Sequence, residues 1–345
     1  MSSTGSSTRG CAWERTVASE PGALAVAGVA AFEEERRPRR FGALRDLLRK
    51  KVAMIAIVYL LVFYLCGILA PVIAPYGLND QQISVEQRLQ SPSSEHIFGT
   101  DRLGRDLFTR VLFSARTTII FTIVITLSGG LFLGLGLGLL AGYRGGWVDT
   151  TIMRVGEVLS GMPTLLLMLA ITAAFRARIN TWSFWLEDHT FLGDDSKTLV
   201  KFLIISLATV PFAWLGSCRI VRSMVLAIRE QSYVQAAEAM GASTPRVLLR
   251  HILPGVMPIF LVGLTSGMAG IAGAEVALSY LGLGIDEPAA SFGNLIGDVN
   301  GTRLFNDYPY LLIAGAGPVI LFFFSWNLLG DALVDIFDRR QDQRR

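Results

Sequence analysis

The stretch TTIIFTIVITLSGGLFLGLGLGLLAG, residues 117–142, carries no charged side chain and decides the class of this protein. A helix rises about 1.5 Å per residue, so about 20 apolar residues cross a hydrocarbon layer about 30 Å thick. Gly130, Gly134 and Gly138 recur at every fourth position, which on a helix forms a stripe that another helix can approach closely. A glycine-rich nucleotide loop would need a preceding strand, which the sequence lacks. We therefore predict a membrane-spanning helix whose glycines pack against a neighbouring helix.

Five further stretches are apolar enough to cross a membrane, although one of them is short and is interrupted by Pro211. Together with the first stretch they predict an all-α, polytopic membrane protein with six transmembrane helices. The other predicted spans are residues 52–74, 155–175, 202–218, 255–283 and 308–330.

The composition of the whole chain indicates the same class. Of 345 residues, 52% are hydrophobic and 17% are charged, whereas about 25% of a typical soluble domain is charged. The 31 basic and 28 acidic residues nearly balance, which argues against a nucleic-acid partner. Cysteines and histidines are scattered, so no metal site is predicted. Because the phosphate loop GxxxxGK[ST] does not occur, we expect this chain to bind neither ATP nor another cofactor.

Basic residues indicate the orientation of the six spans. They concentrate before the first span, between the fourth and fifth, and after the sixth, and the positive-inside rule places these segments in the cytoplasm. Both termini are then cytoplasmic. The predicted organisation is a largely disordered basic tail over 1–45, a first helix and an extracytoplasmic segment over 46–113, a five-helix core over 114–335 and a basic tail over 336–345.

Glu275 lies inside the fifth apolar stretch, and Ser279 follows on the same helical face. A carboxylate inside a membrane costs about 2.5–3.5 kcal/mol on insertion scales, so this side chain should face protein or a water-filled cavity. Two interpretations are open. Glu275 lines a translocation path, or it makes a hydrogen bond between helices near the outer interface. Its position late in the span favours the hydrogen bond.

The cytoplasmic loop between the fourth and fifth spans, residues 222–254, has a pattern of its own. Residues 223–240 are helix-forming, and Gly241 follows at a position typical of a left-handed helix cap. Thr244–Pro245 supplies a cap and a first helical residue. The short helix that begins there is expected to end before Pro254. The loop is therefore predicted to form a helix, a sharp turn, a short helix and then the next span.

Small side chains lie near the end of the first helix of this loop. Ala236, Ala237 and Gly241 leave a nearly bare face, which suits a close fit into a groove of another protein. The segments QAAEAMG at 235–241 and HILP at 251–254 resemble the EAA signature of permease subunits of bacterial ABC importers. In that family the helix before the glycine is the coupling helix, which docks onto the ATPase subunit.

Further motifs resemble the dipeptide and oligopeptide permeases of the DppC/OppC type, in the same order along the chain. The resemblance covers about residues 45–340. Its motifs are HIFGTDRLGRDLFTR at 96–110, AGYRGGWVD at 141–149, EVALSYLGLG at 275–284 and NLLGD at 327–331.

The resemblance implies the type I ABC importer permease (MetI-like) fold and a pore-forming subunit that is not itself an enzyme. It implies four kinds of partner in a bacterial cytoplasmic (inner) membrane: a second homologous permease, two ATP-binding subunits that use ATP and Mg, an extracytoplasmic solute-binding protein, and lipid. Short peptides are the implied cargo, and nickel or opines are alternatives within the class. The residues implied to couple to the ATPase are Gln235, Ala236, Ala237, Glu238, Gly241, His251 and Pro254.

Two features depart from the family pattern. Gln235 stands where the motif usually begins with Glu, although Glu238 supplies an acid on roughly the same face. The segment 176–199 is longer than expected, and its aromatic residues either lie at the membrane interface or contact the binding protein; we favour the interface. These aromatic residues are Trp182, Trp185 and Phe191.

Two other classes of protein fit the sequence less well. An ATP-independent secondary transporter or channel would need charged residues deep in its spans, and Glu275 is almost the only one. A membrane-embedded hydrolase would need catalytic groups that converge within the spans, where no histidine lies.

Overall fold

The computed structural model describes residues 47, 50–78, 80, 88–189, 195–285, 287, 289–299 and 307–342. The tail predicted for residues 1–45 lies outside these ranges, as does Phe191. Within them the chain is helical and forms no β-strand. The elements are α1 (Lys51–Ile68), α2 (Ala70–Ile73), α3 (Leu107–Ile125), a π-helical segment π1 (Thr126–Leu135), α4 (Gly136–Arg144), α5 (Gly146–Ser160), α6 (Thr164–His189), α7 (Asp195–Arg229), α8 (Ser232–Ala239), α9 (Thr244–Arg246), a second π-helical segment π2 (Val247–Ile252), α10 (Leu253–Tyr280), α11 (Phe292–Gly297) and α12 (Pro309–Asp342).

Among the described residues, five helical stretches are long and apolar enough to cross a membrane, and a bent helix pair makes a sixth if it counts as one span. The all-α, membrane-spanning class predicted from the sequence is therefore confirmed. The five stretches are Lys51–Ile68, Leu107–Arg144, Leu199–Arg229, Thr244–Tyr280 and Pro309–Ile336. Residues 336–342, placed in a tail by the sequence pattern, continue the last helix.

The bent pair corrects the prediction of one straight span over residues 155–175. Helices α5 and α6 meet at an angle of 86°. The break contains Gly161 and Pro163. Proline has no N–H to donate within a helix and disfavours helical backbone at the preceding residue, here Met162, so the helix stops and restarts.

The predicted glycine stripe packs against two neighbouring helices. A Cβ atom at Gly134 would lie 2.6 Å from Cβ of Ser217, and one at Gly138 would lie 2.7 Å from Cβ of Val221, both on α7. Gly130 instead faces α10, where an added Cβ would lie 2.6 Å from Leu264. These close approaches are the packing that small residues permit between membrane helices.

We expect Gly138→Ala to destabilise the protein, because the added methyl group would also lie 2.9 Å from the carbonyl oxygen of Cys218. Overpacking of this kind typically costs about 1–3 kcal/mol. Gly136→Ala is the matched control, since a Cβ there meets nothing within 4 Å. The measurement is the apparent melting temperature of each purified variant in detergent. Equal melting temperatures for the two variants would contradict close packing at Gly138.

The largest apolar core joins the first and last spans to the loops that follow the fifth span. Phe63 of α1 packs against Phe322 of α12 with ring centroids 4.7 Å apart. The ring of Phe63 also packs against Phe292 of α11. Leu107 and Val111 of α3 complete this contact region. A second apolar core lies around the loop 222–254.

Candidate functional site

The loop predicted to hold the coupling helix contains two helices in place of the single helix expected over residues 223–240. Helix α7 ends at Arg229, and α8 begins at Ser232 after a break at Glu230 and Gln231. Gln231 has extended backbone, with φ −75° and ψ 141°. The prediction of one continuous helix is therefore wrong, because the extended backbone at Gln231 separates α8 from α7.

Helix α8 has one buried and one exposed side. Val234 and Ala237 are buried, and Val234 belongs to a core with Val225 and Val247 from the flanking helices. Ala236 is exposed, so only part of the predicted bare face is free. The side-chain amide of Gln235 donates to the carbonyl oxygen of Glu230 over 3.4 Å, and Gln235 carries no charge. The exposed side includes large apolar groups, of which Met240 is 82% exposed.

Gly241 ends α8 as the sequence predicts. Its φ of +81° lies in the left-handed region, which glycine adopts without the steric cost that a Cβ adds. The N–H of Ala242 donates to the carbonyl of Ala237, and the N–H of Gly241 donates to that of Glu238. This pair of bonds is the Schellman arrangement, which satisfies the last carbonyls of a helix.

The helix after this turn does not end before Pro254. Residues Thr244–Tyr280 form one continuous helical stretch, so α9 and π2 are the beginning of the fifth span, which continues as α10. Pro254 lies in the first turn of α10, directly after the π-helical residues that include His251. Proline normally breaks a helix because its ring clashes with the carbonyl four residues earlier. The wider π-helical turn is the irregularity at which the chain accommodates it.

Tyr143 contacts this loop at two of its residues. The hydroxyl of Tyr143, at the end of α4, donates to Oε1 of Glu238 over 2.8 Å. Arg229, at the end of α7, donates to the carbonyl of Tyr143 over 3.3 Å. The AGYRGGWVD motif contains Tyr143, but spacing alone gives no sign that its hydroxyl reaches a residue 95 positions away.

A second contact links the last residue of that motif to α7. Arg222 binds both carboxylate oxygens of Asp149 through Nε and Nη2, and the Nη2–Oδ2 distance is 2.6 Å. Such bidentate arginine–carboxylate pairs are stronger and more directional than single hydrogen bonds. Nearby, Arg219 donates to the hydroxyl of Ser160 over 2.9 Å. Helix α5 is therefore attached to α7 at both of its ends.

Glu275 is fully buried among hydroxyl groups. It accepts hydrogen bonds from Thr118 of α3 over 3.1 Å, from Ser279 over 3.0 Å and from Ser291 over 2.7 Å. Thr118 and Ser291 belong to other elements than Glu275, so these bonds join three parts of the chain. This geometry corresponds to the interpretation in which Glu275 makes hydrogen bonds between helices. The carboxylate of Glu275 is not exposed in this conformation.

A buried cluster of charged residues lies in the segment HIFGTDRLGRDLFTR and the loop after α10. Arg105 donates to Asp101 through Nε over 2.6 Å and to Glu287 through Nη2 over 2.6 Å. Arg110 lies 3.2 Å from both carboxylates. Both arginines and Asp101 are almost completely buried. Ion pairs in such surroundings hold loops together when each charge keeps its partner.

Asp298 lies at the edge of this cluster, 3.9 Å from the guanidinium of Arg105. Burial, with the nearby charges of Glu287 and Asp101, raises the pKa of Asp298 from 3.8 to about 6. The folded state therefore binds this proton more tightly than the unfolded chain does. The stabilisation from Asp298 is present below its ordinary pKa and is lost as the pH rises through about 6.

We expect Asp298→Asn to be more stable than the wild type at pH 8, because the amide carries no charge next to Glu287 and Asp101. The advantage should shrink as the pH falls through about 6 and vanish near 4. The measurement is the apparent melting temperature of both proteins in detergent across this pH range. A difference that does not change with pH would show that the charge of Asp298 is not its cause.

A cavity of about 510 Å³ opens between α6, α7, α10 and π1. Thr164, Leu165 and Met168 line it from α6, just beyond the bend. The rest of its wall is mostly glycine and small apolar residues, namely Gly130, Gly216, Gly263, Gly267, Gly270, Gly273 and Ala274. A wall of this kind presents few polar groups.

Two of the three aromatic residues named in the long segment, Trp182 and Trp185, lie on a helix, whereas Phe191 is outside the described residues. Trp182 and Trp185 are on α6 and, with Leu203 and Leu207 of α7, line an apolar groove of about 580 Å³. Within the described ranges, no group of three or more His, Cys, Asp or Glu side chains could hold a metal ion.

Two family models match most of the chain. The family described as binding-protein-dependent transport system inner membrane component matches residues 134–343. The N-terminal TM domain of oligopeptide transport permease C matches residues 42–92. The two matches cover the first span, Gly134 and Gly138 of the glycine stripe, and the cytoplasmic loop.

Curated relatives align with most of the chain. The dipeptide transport system permease protein DppC of Bacillus subtilis is 33% identical over 296 residues, which cover 86% of this chain and 84% of that protein. The oligopeptide transport system permease protein OppC of the same organism is 32% identical over 84% of this chain and 85% of its own length. The OppC protein of Mycobacterium tuberculosis is 30% identical over 87% of this chain and 94% of its own length.

The match to the inner membrane component model confirms the MetI-like permease fold that the EAA-like segment implies. The names of the relatives, which are transport permeases, agree with the helical spans. This chain is a multi-pass membrane protein and belongs to the family of binding-protein-dependent transport inner membrane components, in the branch of the dipeptide and oligopeptide transport permeases.

Proposed function

We propose that this chain is the pore-forming permease subunit of an ATP-driven importer for short peptides. The single observation that carries the proposal is helix α8 with its cap at Gly241. It lies between two membrane spans, is anchored by Val234 and Ala237, and leaves Tyr233 and Met240 exposed. Exposed apolar groups on an anchored helix are typical of a protein–protein contact. The names of the relatives support peptides as the cargo.

The proposal assigns ATP hydrolysis to other subunits. Two ATP-binding subunits use ATP and Mg, and one of them docks on the exposed side of α8, while this chain binds no cofactor. A second homologous permease completes the pore, and a solute-binding protein delivers the cargo on the opposite side. Nucleic acid has no role. The membrane is a bacterial cytoplasmic membrane, with both chain termini on the side of α8, as the distribution of basic residues predicts.

Co-purification tests the assembly directly. The tagged chain is expressed with its encoded neighbours, extracted in mild detergent and analysed for bound proteins. We expect a second permease and ATPase subunits to remain bound in the absence of cargo. A chain that purifies alone or only as a homo-oligomer would contradict an ATP-driven importer and favour a secondary transporter or channel.

Uptake into proteoliposomes tests the cargo. The complex and its solute-binding protein are reconstituted with labelled di-, tri- and pentapeptides, and the same vesicles are tested with Ni²⁺. We expect uptake of peptides that requires ATP, with no accumulation of nickel. Uptake of nickel but not of peptides would keep the importer and overturn the proposed cargo.

A further inference from the structure

The turn between α4 and α5 is built from two glycines with positive φ. Gly145 has φ +62° and Gly146 has φ +56°. Both residues adopt backbone conformations with positive φ, in which residues with side chains would be strained. The turn therefore joins the end of the second span to α5 through backbone that adopts one specific geometry.

Two arginines of α7 hold this turn from its two sides. Before the turn, Arg229 donates to the carbonyl oxygens of Tyr143 and Gly142, over 3.3 Å and 3.5 Å. A cation at these last carbonyls also lies favourably at the negative end of the helix dipole. After the turn, Arg222 holds Asp149 in a bidentate pair. A displacement of the turn must therefore carry α5 with it or break these contacts.

Tyr143 connects the α4–α5 turn to α8. Its hydroxyl donates to Glu238 of α8 over 2.8 Å. Its ring packs against the core that contains Val234 of α8 and Val225 of α7. Glu238 is thus the one side chain of α8 with a hydrogen bond to the second span, among the contacts of the described residues.

Beyond the turn, α5 leads directly to the cavity. It ends at Ser160, and α6 begins after the bend at Gly161 and Pro163. The first turns of α6 place Thr164, Leu165 and Met168 in the cavity wall. Only three residues separate the two helices, so a tilt of α5 shifts the first turn of α6.

We propose that Tyr143 is a positioning residue that passes the movement of α8 through its contact with Glu238 to the α4–α5 turn, and from there to the cavity wall at the start of α6. The proposal rests on the function proposed above, in which an ATPase moves α8. It adds a second connection, besides the covalent one from α8 through α9 into the fifth span. Physical contact alone does not prove coupling, so the test must measure coupling itself.

The test is a double-mutant cycle in the reconstituted complex. Tyr143→Phe removes the hydroxyl donor, and Glu238→Ala removes the acceptor. The readout is peptide transported per ATP hydrolysed, with the amount of retained ATPase measured in parallel. We expect each single variant to lower this ratio about fivefold and the double variant to lower it no further, because both remove one interaction. ATPase retention should be unchanged for Tyr143→Phe, since Tyr143 lies on α4 and not on the docking helix.

Two controls separate positioning from general damage. Glu238→Gln keeps a carbonyl acceptor for the tyrosine hydroxyl, so we expect it to retain most of the transport per ATP. Tyr76→Phe removes a phenol that donates to the carbonyl of Glu95 in a different part of the chain, so it should leave the ratio unchanged.

Three results would overturn the link. They are a normal ratio for Tyr143→Phe, effects of the two variants that simply add, and a loss of retained ATPase that accounts for the whole defect. These results differ from a failure of the proposed function, in which the wild-type chain itself would retain no ATPase.

Discussion

Gly241→Arg is expected to abolish peptide uptake and ATPase retention, while the amount of inserted protein stays within about twofold of the wild type. At φ +81° a residue with a Cβ is strained, which costs about 1–2 kcal/mol. A Cβ at this position meets nothing within 4 Å, so the arginine fits the isolated chain and extends into the space beside α8. In the proposed complex that space belongs to the ATPase. The measurements are uptake, co-purified ATPase and membrane yield.

Two controls separate the backbone strain at Gly241 from the bulk of the new side chain. Gly241→Ala carries the strain without the bulk and should retain most of the ATPase. Gly282→Arg carries both, since Gly282 has φ +72° and open space around it, but it lies at the far end of α10. We expect Gly282→Arg to leave ATPase retention intact. Normal uptake by Gly241→Arg, or equal defects in the two arginine variants, would remove the coupling role of this turn.

Arg105→Met is expected to cause the largest loss of stability. The guanidinium of Arg105 neutralises Asp101, which is itself almost completely buried, and also binds Glu287. Removing one partner of a buried ion pair leaves an uncompensated charge and costs about 3–5 kcal/mol. Because these contacts join the segment before α3 to the loop after α10, the variant should lose ordered protein in detergent. The measurements are yield, monodispersity and apparent melting temperature.

Arg102→Met is the matched control for Arg105→Met, because Arg102 lies in the same segment but is exposed. We expect it to change the melting temperature little, as exposed charges contribute about 0–1 kcal/mol. Arg105→Lys keeps the charge but not the forked geometry that serves two carboxylates, so it should fall between the two. A melting temperature for Arg105→Met equal to that of Arg102→Met would show that Arg110 alone neutralises the cluster.

The sequence predicts those features that depend on local pattern. Uncharged stretches identify the spans, because a membrane excludes charge from any segment that crosses it. Gly241 is predictable as a cap because a helix pattern stops at it and glycine favours positive φ. The match between EAA-like residues and α8 follows from the same local signal.

Features that depend on contacts between distant residues are not predictable in this way. The hydrogen bond from Tyr143 to Glu238 and the bidentate pair of Arg222 with Asp149 join residues far apart in the chain. The burial of Arg105 is also not predictable from sequence periodicity, because a polar segment outside the spans looks like an ordinary solvated loop until its neighbours are known. The 86° bend at Pro163 lies between the two cases, since proline signals a break but not its angle.

The π-helical segment Thr126–Leu135 has a consequence for how the length of this protein can vary. A four-residue step advances about 40° past a full turn in an α-helix of 3.6 residues per turn. It falls about 33° short in a π-helix of about 4.4. The two errors oppose each other across the junction of π1 and α4, so Gly134, Gly138 and Gly142 all face α7, whereas Gly130, one step earlier within π1, faces α10. Ten π-helical residues make about as many turns as eight α-helical ones. A relative that lacks two of these residues and forms an α-helix here would keep Gly138 and Gly142 facing α7. A relative that lacks a single residue would rotate both glycines away from α7 by about 80°.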